Sequence, residues 1–391
     1  MVAGWKEHGD GRTLAPGEVV RPDERLSWPR MLGFGAQHVI AMFGATFVFP
    51  LVMGLDPNVA IMFSGIATIM FLLIVNGRIP SYLGTSASFV GGVLAIRALY
   101  GGDTPAADAI VTGAILVVGL VLALVGVAIH YLGVQIINRI FPPVVTGAVV
   151  MLIGFGLAYV VADVYWPQDQ WIALITMVVT FVIIVVFKGF VGRIGILLGL
   201  VTGFVLSWGA DRIFGNITAY NAVTAKVDTH PRVSFAAVAD APWIGWPDTH
   251  LPDIRFSAVL LVLPAVIALI AENVGHVKAV GEMTGVDVDP YMGRAIMGDG
   301  VATAVASTFG GSPTTTYAEN IGVMAATRVY STAAYYIAAV VAILFGLCPK
   351  FGALIAATPG GVLGGITVIL YGMIGLLGAK IWVENRVDFS D

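Results

Sequence analysis

The sequence predicts an all-α polytopic membrane protein, and three observations carry the prediction. Lys, Arg, Asp and Glu supply only 11% of the 391 residues, under half of the ~25% usual in soluble domains. Hydrophobic residues reach 58%, with 48 glycines and a mean hydropathy of +0.91. Apolar runs of 18 to 25 residues continue on both faces, whereas the strands of an outer-membrane barrel would alternate apolar and polar with a period of two. So little charge cannot wet a soluble surface, which excludes a soluble enzyme, a nucleic-acid binder and a disordered chain.

The chain opens with a polar tail, residues 1–29, whose three prolines and lack of an apolar core exclude a signal peptide. Apolar segments then follow near 31–52, 58–76, 80–98, 108–130, 143–162, 170–188, 193–214, 254–281, 291–309, 313–330, 331–348 and 358–380. Each is long enough to cross a ~30 Å hydrocarbon slab at 1.5 Å per residue, so twelve spans are expected. With the tail inside, fourteen of the twenty cations, Arg139 among them, fall on the inner side. Four of the remaining six belong to the long loop 215–253, which weighs little in the positive-inside rule. Both visible termini are therefore expected to be cytoplasmic. The single cysteine, Cys348, cannot form an intrachain disulfide and reads as a small packing residue.

Two spans do not read as good helices. Pro80 to Gly92 gathers a proline, three glycines and four serine or threonine hydroxyls; Gly310 to Tyr317 sets two glycines and Pro313 before three β-branched threonines, a poor helix and a fair strand. Irregular backbone at membrane depth is tolerated only inside protein or beside a polar cavity. The breaks lie about 230 residues apart, the pattern of an inverted-repeat transporter whose site lies between broken helices.

Ionisable residues inside spans are few: His38, Glu272, His276, Asp299 and Glu319, with His130 at a span's end. Each needs a partner or a role, because a charge at the bilayer centre costs about 2.5–3.5 kcal/mol on insertion scales. Glu272 and His276 are four apart on one helical face, as an internal ion pair or as a functional pair. Glu319 suits either a helix N-cap or a binding acid. Asp299 reads more readily as a polar contact between helices than as a ligand group, and His38 as a hydrogen-bonded structural histidine. A channel would need a ring of charges or carbonyls, and an embedded enzyme a nucleophile–base pair or metal ligands; the sequence offers none of these motifs, so no enzyme and no metal site are expected.

Residues Gln37 to Thr46, Ala271 to His276 and Thr315 to Arg328 resemble the hallmarks of the nucleobase–ascorbate (nucleobase–cation symporter 2) family. The last stretch contains the signature of an acidic, amide or proline residue, then Asn-x-Gly, four residues, Thr and a basic or small residue, here Glu319 to Arg328. The resemblance runs from about Asp23 to the end. It is strongest to the uracil permeases, in particular pyrimidine permeases of the Rut uracil-degradation type, which share Asp289 to Arg294 and Val383 to Asp388 nearly as they stand. Purine members tend to carry Gln at the position of Glu319 and ascorbate members Pro, so the acid favours a pyrimidine.

That resemblance implies two inverted sets of seven spans, with short antiparallel strands in spans three and ten. A core domain (30–130 and 254–348) would hold the substrate and slide, elevator-fashion, against a gate domain (131–253 and 349–391) that usually dimerises. The carried-over substrate site is Glu272 and Glu319, backbone N–H groups near Ala87 and Ala318, and Phe89 and Tyr317 as apolar walls. Glu272 and His276 would handle the coupling proton; Gln37, His38, Asn320 and Asp299 give polar support. Where uracil permeases commonly carry Phe, this chain has Ala87. No cofactor is implied beyond the proton as coupling ion, and the partners are uracil or a similar pyrimidine, the lipid bilayer and a second copy, with no nucleic acid. The expected location is a bacterial-type inner membrane. The alternative substrate is a purine such as xanthine or urate, and the alternative class an ion channel. On the repeat offset, two further spans would follow Asp391, so an incomplete gate domain with weak or absent transport is expected.

Overall fold

The computed structural model describes residues 4–15, 17–133, 135, 142–221 and 226–389; Arg139, counted above among the inner cations, lies outside them. The chain divides into two compact units, residues 1–142 with 246–347 and residues 143–245 with 348–391. In chain order the first unit starts with β1 (Lys6–Glu7) and β2 (Glu24–Arg25), then α1 (Trp28–Met53) and α2 (Pro57–Ile74). Gly54 ends α1 in the left-handed region (φ 68°), and Asp56 caps α2 by accepting from the N–H groups of Asn58 and Val59. Next come β3 (Leu83–Thr85), a 3-10 turn (Ala87–Phe89), α3 (Val90–Tyr100) and α4 (Pro105–Leu132).

The second unit contributes α5 (Pro143–Gly156), a π-helical turn (Val160–Tyr165), α6 (Gln170–Val186), α7 (Phe190–Arg193), α8 (Gly195–Phe214), the hairpin β4 (Ile217–Asn221) and β5 (Lys226–His230), and α9 (Ala236–Asp240). The chain re-enters the first unit with α10 (Phe256–Val262), α11 (Ala265–Thr284), α12 (Asp289–Thr308), β6 (Thr314–Thr316), α13 (Ala318–Thr327) and α14 (Thr332–Gly346). It ends in the second unit with α15 (Pro349–Ala356) and α16 (Gly360–Glu384).

Among the described residues, seven helical stretches are long and apolar enough to cross a membrane, or eight if the α14–α15 pair, bent by 83°, is one span. The twelve expected spans are therefore not twelve long helices. The third and tenth, at 80–98 and 313–330, are each a strand followed by a short helix, α3 or α13. The ninth, α12, is long enough but carries Arg294 and Asp299, which lower its hydropathy. The sixth, α6, stops at 17 residues.

In the first unit β3 and β6 pair antiparallel, with Leu83 opposite Thr316 and Thr85 opposite Thr314. Such a ribbon inside a helical unit must find partners for its backbone. Tyr317 N donates to Tyr82 O (3.0 Å) and Ser86 N to Pro313 O (2.8 Å), extending the ladder at both ends. Each strand is also tied to a preceding long helix: Leu83 N donates to Thr68 Oγ1 of α2 (2.9 Å), and Thr314 N to Thr303 Oγ1 of α12 (3.0 Å).

The N-terminal tail is docked on the first unit. Val20 N donates to Arg328 O (3.0 Å), and Tyr330 N to Val20 O (2.8 Å). The Thr332 hydroxyl donates to Pro22 O (2.9 Å) and accepts from Trp5 Nε1 (2.8 Å). Beneath these contacts Val20, Leu26, Met31, Val329, Ala333 and Ala334 form a buried apolar cluster. The tail's polar composition gave no sign of this, because its few apolar residues are scattered and gain meaning only when opposed to the α13–α14 junction.

Candidate functional site

The β3–β6 ribbon sends a short helix from each of its ends. β3 runs through the turn at Ala87–Phe89 into α3, and β6 runs through Tyr317 into α13. Since the strands are antiparallel, two helix N-termini converge on a ribbon only about 7 Å long. Each first turn carries N–H groups with no partner inside its own helix, and with them a partial positive charge. Glu319, second residue of α13, lies where that field favours an acid.

The ribbon's register depends on Gly84. Tyr317 lies across it so closely that a Cβ at position 84 would meet the ring Cζ at 2.4 Å and Cε2 at 2.5 Å. The Tyr317 hydroxyl donates to Thr85 O (2.9 Å) and accepts from Thr46 Oγ1 of α1 (3.2 Å). One aromatic side chain thus joins β6, β3 and α1.

Behind the ribbon runs a polar chain from α12 to α11. Thr303 Oγ1 lies 3.1 Å from Thr314 Oγ1, whose hydroxyl donates to Asp299 Oδ1 (3.5 Å). Asp299 Oδ2 accepts from Asn273 Nδ2 (2.6 Å), and Asn273 Oδ1 accepts from Thr316 Oγ1 (3.4 Å). Thr316 Oγ1 also lies 2.9 Å from His276 Nδ1. Asp299, Asn273, Thr303 and Thr316 are fully buried, so these groups satisfy one another in place of water. Thr315 Oγ1 is also buried and makes no well-aligned hydrogen bond, although the Glu272 and Asp299 carboxyls lie near it.

The residues singled out from sequence fall into two groups. Gln37, Ala87, Glu272, His276, Ala318 and Glu319 keep accessible surface, whereas His38, Phe89, Asp299, Tyr317 and Asn320 are buried. Helix α11, which carries Glu272 and His276, packs against β6, α13 and the turn at 87–89, and Glu272 lies within electrostatic reach of Glu319. His38 and Asn320 hold α13 to α1: Asn320 Nδ2 donates to His38 O (2.9 Å) and lies 3.2 Å from His38 Nδ1. The His38 ring rests on Tyr335 of α14, centroids 4.2 Å apart.

Sequence reasoning missed Asn273, Thr303, Thr46 and Thr68 as members of the constellation. Asn273 was open to discovery, being an amide inside an apolar helix beside Glu272. The threonines were not, since isolated hydroxyls in spanning helices commonly return their proton to the i−4 carbonyl, as Thr68 also does to Ser64 O (2.8 Å).

The Permease family (Xan_ur_permease) matches residues 30–391. The chain is 44% identical over 374 residues to the pyrimidine permease RutG of Escherichia coli (strain K12), covering 95% of this chain and 82% of that one. It is 36% identical over 388 residues to the uracil permease of Bacillus caldolyticus, covering 95% and 84%. Among solved structures, the transmembrane domain of the cyanobacterial bicarbonate transporter BicA matches with a TM-score of 0.63 at 14% identity, covering 90% of this chain and 94% of that one. At that identity the likeness concerns the fold alone, a mostly helical polytopic transporter fold. The matched relatives are permeases rather than enzymes.

Proposed function

The chain belongs to the Permease family, and from that premise we propose that it imports uracil or a related pyrimidine nucleobase across a bacterial inner membrane, coupled to protons. The observation that carries the reading is the placement of Glu272 and Glu319, two partly accessible acids on separate helices, at a ribbon on which two helix N-termini converge. Uracil is a neutral planar ring with two N–H donors and two carbonyl acceptors. The two carboxyl groups supply acceptors for the ring N–H groups, and the first-turn N–H groups near Ala87 and Ala318 supply donors for the carbonyls. Thr315, whose buried hydroxyl makes no well-aligned hydrogen bond and lies near the Glu272 and Asp299 carboxyls, offers one further donor. An analogue lacking a matching group leaves a buried polar atom unpaired, at about 1–3 kcal/mol each.

In this reading Glu272 carries the coupling proton and His276, held by Thr316, keeps the face of α11 ordered beside it. Protonated Glu272 lets the loaded unit move without carrying a net charge through the low-dielectric interior. Every polar group of the site belongs to residues 1–142 and 246–347, which supports an elevator motion in which that unit moves as one body. Residues 143–245 and 348–391 then form the gate, through which two copies pair, with both visible termini cytoplasmic. The sequences named as pyrimidine and uracil permeases among the relatives favour pyrimidine over purine.

The test is equilibrium binding of radiolabelled uracil to the purified chain, competed by thymine, xanthine and ascorbate, followed by uptake into vesicles. Competition by thymine but not by xanthine or ascorbate is the expected result. Displacement of uracil by xanthine at equal concentration would replace the pyrimidine reading by the purine one.

A further inference from the structure

A second candidate site lies in the first unit where α4 ends and α12 begins. There Ile74 at the end of α2, Val127, His130 and Tyr131 on the last turns of α4, and Arg294 and Met297 on the first turns of α12 line a cavity of about 300 Å³. Its shape follows from the way α4 meets α12. At Gly293 an added Cβ would stand 2.4 Å from His130 N, and at Gly126 one would stand 2.2 Å from Met297 N. The two backbones therefore touch, and the larger side chains beside the glycines are displaced to the flank, toward α2.

The lining combines one cation, one imidazole, one phenol and three apolar side chains, with no acid among them. Arg294 makes no ion pair or hydrogen bond among the described residues, although it is partly shielded from solvent. A guanidinium carries five donors in a fixed fork that matches phosphate, and Arg294, with no acid beside it among the described residues lining the cavity, suits an oxyanion. The cavity opens along a lipid-accessible stripe of α4: Leu120 is 49% exposed, Leu124 68% and Tyr131 81%. These positions recur at helical spacing, so they form one track leading to Arg294. An apolar track ending in a tyrosine and a cation is the form of an acyl chain with its headgroup at the interface.

We propose that this groove between α2, α4 and α12 binds an anionic phospholipid, its phosphate on Arg294 and beside His130, its acyl chain along Leu124 and Leu120. The Asp289 to Arg294 stretch thereby acquires a role that the substrate site does not use. The occupant is a lipid rather than free phosphate because half of the lining is apolar and the track outside it faces hydrocarbon.

The experiment is native mass spectrometry of the purified chain titrated with phosphatidylglycerol or phosphatidylcholine in mixed micelles. The native chain should retain phosphatidylglycerol over phosphatidylcholine by about fivefold, the ratio expected for one basic residue facing an anionic headgroup. Arg294→Gln should abolish the preference, and Arg294→Lys should keep most of it. Val127→Trp, which fills the groove from its lipid side, should lower retention of both lipids and serves if Arg294→Gln does not fold. An undiminished preference in Arg294→Gln, or equal retention of the two lipids by the native chain, would overturn the proposal. So would complete displacement of the adduct by inorganic phosphate, which would identify a phosphate site with no lipid in it.

Discussion

Replacing Gly84 by alanine tests the geometry of the site without touching a charged group. The new Cβ would stand 2.4 Å from Tyr317 Cζ, 2.5 Å from Cε2 and 2.7 Å from Thr46 Oγ1. An ordinary contact begins near 3.4 Å, so the ring must retreat by about 1 Å or the ribbon must open. Tyr317 is itself fully packed, at 4% exposure, and overpacking at such a site costs about 1–3 kcal/mol. Retreat also stretches the bonds of its hydroxyl to Thr85 O and Thr46 Oγ1, each with a net value of about 1 kcal/mol. Stretching that forfeits about half of this bonding adds about 1 kcal/mol, and the sum is about 2–4 kcal/mol. Because Tyr317 immediately precedes Ala318 and Glu319, the displacement reaches the binding residues, and if all of it fell on binding, uracil affinity would drop by about 30- to 1,000-fold. The assay is uracil binding and the apparent melting temperature, in Gly84→Ala, Tyr317→Ala and the double variant. The clash predicts a double variant more stable than the sum of the singles by at least about 1 kcal/mol. Native affinity and melting in Gly84→Ala, or strictly additive effects, would show that Tyr317 does not set the ribbon's position.

Further outcomes are expected elsewhere. Glu319→Gln keeps one carbonyl acceptor but adds two donors, and should weaken uracil by about 1.5–3 kcal/mol, the range for a hydrogen bond to a charged group; an unchanged uracil dissociation constant refutes its role. Glu272→Gln mimics the protonated acid permanently and should abolish proton-driven accumulation while binding survives, since a proton and a ligand that favour one state must help each other bind. Vesicles of that variant that still concentrate uracil under an inward proton gradient place the coupling elsewhere. Asn320→Ala removes the donor to His38 O and should lower thermal stability by about 0.5–1.5 kcal/mol, the net value of one hydrogen bond, because His38 O keeps its helical partner within α1; a melting temperature equal to that of the native chain excludes the anchor. In the tail, partial burial pushes the Glu24 carboxyl up, but hydrogen bonds from Arg21 N–H and the His8 ring outweigh it and hold the group below its ordinary 4.5. The depressed value stabilises the docked tail above that pH, and the contribution is lost as pH falls through the folded value. Limited proteolysis should cut the tail faster on acidification in the native chain than in Glu24→Gln, and equal rates at every pH would refute the linkage.

The membrane class, the two broken spans and the few acids within spans were legible in the sequence because each is a local property. Hydropathy is summed over neighbours in the chain, a proline or a run of β-branched residues disfavours helix where it stands, and a carboxylate in an apolar run is conspicuous without reference to its surroundings. For the same reason Glu272, His276, Asp299 and Glu319 could be picked out individually while their division of labour could not. Tertiary structure alone decided that Asp299 is sealed behind the ribbon with Asn273 and Thr314, while Glu272 and Glu319 keep accessible surface. It also decided which threonines tie the ribbon, why Gly84 must lack a side chain, and that the polar tail packs on the α13–α14 junction. Thr85 and Ser312, or Trp5 and Thr332, meet at 2.8 Å across more than two hundred residues of chain. Nothing in the order of side chains along a helix encodes such a meeting. It arises when polar side chains of distant segments, shielded from water by the packing around them, have one another as partners.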